Sequence, residues 1–486
     1  MKQLALLVLI CLVAGVSCKN EGSDEIAAEV QAIENGLLPA ARVDGDSLTT
    51  FNILDRMEYH KVPGVSIAVV VDGRLRWAKG YGIANANDAS TVDEQTLFQA
   101  GSISKPVAAL AVLKLVEEGA LALDEDVNKY LVDWKVPDNE FTEKEKVTLR
   151  RLLTHTAGMT VHGFPGYGQT DTFPSITEVL NGEGNTPKIF VDTVPGSIWR
   201  YSGGGYTVME KVVEDVSGLP FEEYMATKVL GEIGMSNSTY EQPLGPKFQA
   251  HASAAYDNQG TLIEGLWHNY PEQAAAGLWT TPADLANYCL EVQQILAGKE
   301  HALLSKGTVE EMLTKGKGDW GLGLSLEGDR DSLIFSHGGK NAGFTNSMIA
   351  FAHRGDAVIV MTNADNGGRV IEEVLRAISA YYDWGIREQR VVKVAALEKD
   401  QLERLPGKYL LDFPVPGIGD YLIDLEIRDG QLYVTDPNNG EINILTATED
   451  SKFIDLVSGD EVAFQMDGEK VGLLWNGRFQ FDKIGQ

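Results

Sequence analysis

The sequence predicts an α/β (α+β) protein in which helices flank an antiparallel sheet and a mainly helical region is inserted, with a small antiparallel β-barrel at the C-terminal end. Strand patterns occur at residues 65–80 and again at 333–362. Between them lie mostly helical patterns and Gly- and Pro-rich loops, so one sheet is assembled from distant parts of the chain. Beyond about residue 400, short alternating strands follow one another between turn dipeptides.

Length and composition limit the classes of protein that this chain can be. Its 486 residues, 44% of them hydrophobic, suffice for two or three domains with full cores. The formal charge of −29 argues against nucleic-acid binding, which needs clustered Lys and Arg. We interpret the acidity as a source of solubility.

The first residues are typical of an export signal. A lysine at position 2 precedes the apolar run 4–16, which is too short to span a bilayer. The small residues before Cys18 resemble a loose bacterial lipobox, which predicts lipidation of Cys18 and membrane attachment through it; ordinary cleavage near Ser17 is the rival. We therefore expect an exported protein, either periplasmic or an outer-membrane lipoprotein of a bacterium, with a signal at 1–18 and a tether and N-terminal helix at 19–40.

Cysteine usage predicts no intramolecular disulfide. Cys11 leaves with the signal and Cys18 is lipidated or terminal, so only Cys289 remains within the folded part. Because it lies in an apolar stretch, we expect Cys289 to be a core residue.

The region 41–390 is predicted to form one domain. Residues 65–71 and 74–80 form a hairpin around Asp72-Gly73, and the first arm is apolar at nearly every position, as in a strand covered on both faces. Strands are also expected at 333–336, 347–351 and 357–362. Helices are expected at 26–38, 48–59, 103–118, 205–216, 221–230, 282–296, 308–314 and 370–384.

The C-terminal region, 400–486, is predicted to be a separate small domain. It contains four hairpin signals, Asp429-Gly430, Asn439-Gly440, Asp467-Gly468 and Asn476-Gly477. Such closely spaced hairpins predict an antiparallel barrel or sandwich.

The motif Ser102-Ile103-Ser104-Lys105 is the first candidate for chemistry. Residues three apart share a face of a helix, so the Ser102 hydroxyl and the Lys105 amine can meet. A serine needs a base to become a nucleophile, and a desolvated lysine supplies one.

Two further clusters supply the other parts of an acyl-transfer site. Tyr201 precedes Gly203-Gly204-Gly205, and a tyrosine hydroxyl at such a place can shuttle a proton. His337-Gly338-Gly339 ends a predicted strand whose glycines leave backbone N–H groups open to a substrate.

With these three motifs in this order, the chain resembles serine hydrolases of the class C beta-lactamase and penicillin-binding-protein superfamily. Their Ser-x-x-Lys motif corresponds to Ser102–Lys105. Their Tyr-x-Asn or Tyr-Ser-x motif corresponds to Tyr201–Gly203, and their Lys-Thr-Gly or His-x-Gly motif to His337–Gly339. Stretches at 62–65, 152–158 and 275–278 are also similar to the family.

The resemblance implies a role for each residue. Ser102 attacks the substrate carbonyl, while Lys105 and Tyr201 share its proton; which of the two is the base stays open. Tyr201 then protonates the leaving group. His337, Gly339 and Lys340 line the substrate site, and the N–H groups of Ser102 and Lys340 form the oxyanion hole.

Departures from the family pattern bear on the substrate. Gly203 replaces the amide side chain that holds a beta-lactam, and His337-Gly338 replaces the Lys-Thr that recognises its carboxylate, although protonated His337 or Lys340 would compensate. We therefore expect an esterase or peptidase acting on a small acyl, D-amino-acid or peptide substrate. The alternatives are a true beta-lactamase and a catalytically idle protein that binds cell-wall fragments.

Other candidate residues are assigned no chemistry. Tyr256-Asp257-Asn258 also matches Tyr-x-Asn but is typical of a hairpin turn, and His155 is expected to be a structural hydrogen-bonding residue. No metal motif and no cofactor motif occurs, so no metal and no cofactor is expected.

Overall fold

The computed structural model describes residues 21–300, 302–397, 399–415, 418–438, 440–449, 451–468 and 470–484. The predicted signal with Cys11 and Cys18, and the turn residue Asn439, lie outside these ranges. The α-helices are α1 Glu21–Glu34, α2 Ile53–Tyr59, α3 Ser104–Glu117, α4 Leu149–Leu153, α5 Ile176–Asn181, α6 Gly203–Ser217, α7 Phe221–Met225, α8 Pro246–Gln249, α9 Pro282–Leu296, α10 Lys306–Met312, α11 Gly368–Tyr382 and α12 Lys399–Leu402.

The strands fall into a main sheet, a C-terminal barrel and two short pairs. They are β1 Ala41–Val43, β2 Gly64–Val71, β3 Arg74–Asn85, β4 Ser90–Thr91, β5 Phe98–Gln99, β6 Trp279–Thr280, β7 Ser325–Glu327, β8 Ile334–Asn341, β9 Phe344–Phe351, β10 Ala357–Thr362, β11 Arg390–Val392, β12 Gly407–Leu411, β13 Leu422–Arg428, β14 Gln431–Asp436, β15 Glu441–Glu449, β16 Lys452–Asp455, β17 Glu461–Asp467, β18 Lys470–Trp475 and β19 Phe479–Ile484.

The main sheet is antiparallel and seven-stranded, in the order β4-β3-β2-β10-β9-β8-β7. Strands from both ends of the predicted hydrolase region thus meet, since β2 pairs with β10 from Val65 to Val70. The predicted fold class is confirmed.

Both faces of this sheet are covered by helices. In β2, Val65, Ile67 and Val69 pack with α11 in one apolar core, while Ala68 and Val70 belong to a second core around α3 and α9. Because both of its faces are buried, β2 is apolar at nearly every position.

The C-terminal strands β12 to β19 form a closed barrel, which decides between the barrel and the sandwich. Its interior holds inward-facing apolar side chains such as Tyr409, Leu432, Phe464 and Leu473. Full closure leaves no free strand edge.

Among the boundaries that differ from prediction, the end of α1 and the start of α2 each move by four or five residues. Leu37 and Phe51 exchange both backbone hydrogen bonds, at 3.1 and 2.9 Å. This bridge uses backbone groups of residues that the sequence patterns assigned to the flanking helices. As a result, α1 ends at Glu34 and α2 begins at Ile53, where the Asn52 side chain caps it.

The third motif does not end its strand, contrary to prediction. Strand β8 runs through both glycines to Asn341, because its residues pair one by one with β9 as far as Asn341–Phe344. Ladder hydrogen bonds thus outweigh the weak strand preference of glycine.

Cys289 is fully buried in α9 and has a free thiol, as the apolar stretch predicted. Within the described part of the chain, no helix is long and apolar enough to cross a membrane.

Candidate active site

Ser102 and Lys105 lie where the chain leaves β5 and enters α3. Ser102 is in a single 3₁₀ turn, Gly101–Ile103, and Lys105 is the second residue of α3. The Lys105 Nζ lies 3.0 Å from the Ser102 Oγ and 2.7 Å from the carbonyl oxygen of Ala275. The predicted contact between hydroxyl and amine is therefore present.

Lys105 is held in a site that disfavours its charge. Its side chain is buried, and among the described residues no carboxylate pairs with it. Desolvation lowers its pKa to about 7. A substantial neutral fraction at neutral pH allows the amine to accept a proton from Ser102.

Tyr201 immediately precedes Ser202, the residue that caps the N-terminus of α6. The Ser202 hydroxyl accepts a hydrogen bond from the Gly205 amide. The Lys105 Nζ lies 5.0 Å from the centre of the Tyr201 ring. Burial raises the pKa of the Tyr201 hydroxyl, and the nearby Ser102 hydroxyl offsets part of this rise. The two hydroxyls form no well-aligned hydrogen bond, so the buried Tyr201 hydroxyl is available to another group.

His155 packs against the ring of Tyr201. The two ring centres are 4.1 Å apart, and the Ser202 amide donates a hydrogen bond to His155 Nδ1 at 3.2 Å. Because Nδ1 is an acceptor, the proton of the neutral ring is on Nε2, and burial lowers the pKa of His155 well below its usual value. His155 orients the tyrosine.

His337 faces the same centre from β8. Its ring centre lies 6.2 Å from that of Tyr201, and its Nδ1 is 2.6 Å from the Gly338 carbonyl oxygen. A carbonyl oxygen only accepts, so Nδ1 carries the proton and the buried Nε2 offers a lone pair. Desolvation and the nearby Lys105 lower the pKa of His337 to about 3, so the ring is neutral at physiological pH. The surroundings of His337 therefore disfavour the protonated form that would anchor a carboxylate.

Gly339 brings β8 against the serine. Strand β7 pairs with β8 only as far as Ser336, and beyond it the edge of β8 meets the segment Ala100–Gly101. A β-carbon at Gly339 would lie 1.9 Å from the Ala100 carbonyl oxygen. Only glycine allows this approach.

The Lys340 amide points toward Ser102. Asn341 and Phe344 close a two-residue turn and form a hydrogen-bonded pair, so by antiparallel alternation the N–H of Lys340 is directed to the free edge. There it lies beside Gly101, since a β-carbon on Gly101 would come within 2.5 Å of the Lys340 nitrogen. The Lys340 side chain turns away, and its Nζ donates to the Asp365 carbonyl oxygen at 2.6 Å. Lys340 thus offers its backbone to the site.

Gly203 leaves no room for the amide side chain that relatives carry at this position. A β-carbon on Gly203 would lie 2.8 Å from the Phe164 ring and 3.0 Å from the His162 carbonyl oxygen. The departure in the second motif is therefore built into the packing around it.

The helical turn Gln273–Gly277, which overlaps the stretch 275–278 that the sequence marked only as similar to the family, positions Lys105. Its Ala275 carbonyl accepts from Lys105, and the carboxylate of Glu210 on α6 accepts from the Ala274 amide at 2.7 Å. No local pattern singles out Glu210, because its role depends on packing between distant segments.

Trp320 is a further residue that sequence reasoning missed. Its ring centre lies 5.9 Å from that of Tyr201, 5.5 Å from His337 and 5.1 Å from His155. It lies within Lys315–Gly323, which contains four glycines, a composition that signals a loop but not its position over the site.

The remaining candidates have no catalytic geometry. The Tyr256 hydroxyl accepts a hydrogen bond from the Ala86 amide at 2.8 Å, as a structural residue does. In the described ranges, no group of three His, Cys, Asp or Glu side chains is arranged to hold a metal ion.

Comparison with known proteins fits this arrangement. The model of the family described as Beta-lactamase matches residues 52–381, which contain all three motifs. The chain belongs to the beta-lactamase family. The curated "Putative penicillin-binding protein PbpX" of Bacillus subtilis (strain 168) is 26% identical over 314 residues, which are 62% of this chain and 71% of that protein.

Solved structures share the fold of this beta-lactamase-family protein. The octameric penicillin-binding protein homologue from Pyrococcus abyssi superposes with a TM-score of 0.60 at 24% identity, over 89% of this chain and 98% of that one. The structure of SurE with D-Leu gives a TM-score of 0.54 at 21% identity, over 89% and 97% of the two chains. Both superpositions cover more of the chain than the family match does.

Proposed function

We propose that this protein is a serine hydrolase that acts through an acyl-enzyme on a small ester or amide, including D-amino-acid and peptide substrates. One observation carries the proposal. The Lys105 amine lies 3.0 Å from the Ser102 hydroxyl in a buried position without a carboxylate partner among the described residues. A base of pKa about 7 next to a serine is what nucleophilic catalysis at neutral pH needs.

The acylation step follows from the lowered pKa of Lys105 and the raised pKa of Tyr201. Neutral Lys105 takes the proton of Ser102 as the Oγ attacks the carbonyl carbon. Tyr201, kept protonated by burial, then donates its proton to the leaving group, and the proton on Lys105 restores the tyrosine. The leaving alcohol or amine thus takes the proton of Tyr201, which the proton from Ser102 replaces by way of Lys105. A water molecule completes the cycle by the reverse transfers.

The negative charge that develops on the carbonyl oxygen needs donors. The Lys340 amide at the free edge of β8, together with the Ser102 amide, is suited to this role. Loss of one such donor costs roughly 100- to 1000-fold in rate in other hydrolases.

Two features favour an ester or amide over a beta-lactam. Phe164 fills the space where relatives place an amide side chain next to Gly203. His337 is neutral and offers an acceptor, which repels a carboxylate. A neutral acceptor is instead suited to an N–H group of the substrate.

The idle binding protein is the less favoured alternative. A site without catalysis has no need for a lysine buried beside a serine, since burying an unpaired amine costs stability.

A substrate screen tests the proposal. Purified wild-type protein and Ser102→Ala are assayed with alkyl and 4-nitrophenyl esters, D-aminoacyl amides and nitrocefin. D-aminoacyl compounds are included because the related fold of SurE was solved with D-Leu. We expect wild-type turnover of an ester or D-aminoacyl compound, with kcat/KM reaching at least about 10⁴ M⁻¹s⁻¹, and none by Ser102→Ala.

Two outcomes of the screen would contradict the proposal. Nitrocefin hydrolysis at about 10⁶ M⁻¹s⁻¹ without ester turnover would establish a true beta-lactamase. Folded wild-type protein that turns over no compound would favour the idle binding protein.

We also propose that the protein is exported and attached to a membrane through lipidated Cys18, on the sequence pattern alone. Cell fractionation of the wild type and Cys18→Ser tests this. Wild-type protein in the membrane fraction and Cys18→Ser in the periplasm are expected, while the same fraction for both would contradict it.

A further inference from the structure

The rings of Trp199 and Trp320 cover the side of the site next to Tyr201. Their centres are 5.6 Å apart, and Trp320 contacts the rings of both Tyr201 and His337. Trp199 precedes Arg200 and Tyr201 in the chain, and 37% of its side chain is exposed. The two indoles therefore form an apolar wall that begins at Tyr201 and ends in solvent.

The Trp320 loop is fixed before any substrate binds. Gly316 donates to the Trp320 carbonyl at 2.9 Å, Leu322 donates to Met312 at 2.9 Å, and Gly323 donates to Leu153 at 3.1 Å. Gly318 lies against the Trp199 ring, where a β-carbon would come within 2.6 Å. The wall is thus preorganised, which lowers the entropic cost of binding.

The indole nitrogen of Trp320 is buried and has no hydrogen-bond partner among the described residues. A buried N–H without an acceptor costs stability, and proteins keep such groups where a ligand satisfies them. Indole is a donor only, so the missing partner is an oxygen or another acceptor. A carbonyl or ether oxygen of a substrate next to Tyr201 would meet this need.

The charges beside Tyr201 disfavour a cationic group. Among the described residues, the rings of His155, His162 and His337 and the amine of Lys105 contact the Tyr201 ring, and none of these groups is a carboxylate. Asp319, the neighbour of Trp320, is exposed and pairs with Lys315 at 3.9 Å. An ammonium group at the wall would find no counter-charge there.

We propose that Trp199 and Trp320 form the leaving-group subsite, which takes an uncharged apolar or aromatic alcohol or amine. This rests on the proposed function, in which Tyr201 protonates the leaving group. The exposed Trp199 ring packs on the apolar part of the leaving group, and the Trp320 N–H donates to an oxygen close to the scissile bond. Leaving-group preference therefore depends on Trp199, while the rate with every leaving group depends on Trp320.

Two matched ester pairs test the subsite. Acetates of 2-phenylethanol and ethanol vary only the leaving group, and ethyl esters of 3-phenylpropanoic and acetic acid vary only the acyl group. Wild-type kcat/KM should favour the phenylethyl leaving group by about tenfold or more. Trp199→Ala should bring this ratio close to one and leave the acyl ratio unchanged.

Trp320→Phe keeps the ring and removes the donor. We expect kcat/KM to fall about 3- to 10-fold for both leaving groups alike, as for one hydrogen bond, with an unchanged leaving-group ratio. Tyr381→Ala, which removes a ring that is 47% exposed on α11, is the control and should change neither ratio.

Three outcomes are decisive. A leaving-group ratio that survives Trp199→Ala would overturn the subsite, as would a loss of acyl preference in its place. Wild-type protein that hydrolyses no ester and does not react at Ser102 would instead overturn the proposed function.

Discussion

At the scale of single residues, burial shifts the pKa values of Lys105 and Tyr201 in opposite directions. Both side chains lose solvent, and desolvation disfavours the charged form of each. For an amine this lowers the pKa and creates a base, while for a phenol it raises the pKa and preserves an acid. We therefore propose Lys105 as the base and Tyr201 as the acid.

The pH dependence of the reaction tests this assignment. The neutral fraction of Lys105 grows as the pH rises through its pKa of about 7, so kcat/KM should rise about tenfold per pH unit below this value and level off above it. His337, with a pKa of about 3, should add no step between pH 5 and 9. Lys340→Ala should keep the same profile, because its amine is bonded to Asp365 outside the site. A midpoint near the usual lysine value would contradict the assignment.

Tyr201→Phe tests the acid. Removal of the hydroxyl should lower kcat/KM for alkyl esters by about 10²- to 10⁴-fold, because an alkoxide must be protonated as it leaves. Fluorophosphonate labelling of Ser102 should persist, since fluoride leaves without a proton. Equal losses of labelling and of ester turnover would assign Tyr201 the role of base.

At the scale of elements, the site depends on the contact between β8 and the turn that carries Ser102. The spacing of Ser102 and Lys105 predicted their meeting because both are on one short stretch of backbone. The glycines of the third motif predicted a strand whose backbone is open to a substrate. They did not predict that β8 lies against Ala100 and Gly101. This contact depends on long-range pairing, which local sequence does not encode.

Two neighbouring glycines provide a matched test of this contact. Gly339→Ala places a β-carbon 1.9 Å from a backbone oxygen and should displace β8, with a loss of activity of at least about 100-fold as for one oxyanion donor. Gly338→Ala is the control, because its β-carbon would meet only the Asn346 oxygen, at 3.9 Å. Full activity in Gly339→Ala, or an equal loss in both variants, would show that the edge of β8 does not form the oxyanion hole.

At the scale of the whole molecule, the barrel is joined to the hydrolase core through α11 and the backbone at the start of β1. Arg369 on α11 forms ion pairs with Glu441 and Asp460 of the barrel region, at 3.0 and 3.1 Å. Ala40 and Ala41 donate backbone hydrogen bonds to Val457 and Leu456. A cleft of about 870 Å³ remains between the two parts, and the Lys340 side chain is in its wall. The barrel thus contacts α11, which packs in a different apolar core from α3, the helix that follows Ser102.

This placement predicts a structural role for Arg369. Arg369→Ala should lower the free energy of unfolding by about 1 kcal/mol, as for a partly exposed ion pair, and leave kcat/KM for small esters within about twofold. Arg428→Ala, which removes a fully exposed pair within the barrel, should leave the free energy of unfolding nearly unchanged. Chemical denaturation measures both. A larger loss of activity than of stability in Arg369→Ala would mean that the barrel takes part in catalysis.

Features of the fold that depend on local sequence patterns were predicted, and features that depend on long-range packing were not. Periodicity and turn dipeptides predicted the hairpin at Asp72-Gly73, helix α3 and the barrel, because each depends on local pattern. The Glu210 contact to the turn beside Lys105 and the position of Trp320 over Tyr201 were missed. They arise where segments far apart in the chain pack together, and side-chain types alone do not specify such packing.

Peptide mapping by mass spectrometry after fluorophosphonate treatment measures whether Ser102 is a nucleophile activated by Lys105. We expect one adduct, on Ser102, in the wild type and in Lys340→Ala, no adduct in Ser102→Ala, and markedly slower labelling in Lys105→Met. An adduct that persists in Ser102→Ala, or folded wild-type protein that stays unlabelled, would rule out Ser102 as the nucleophile.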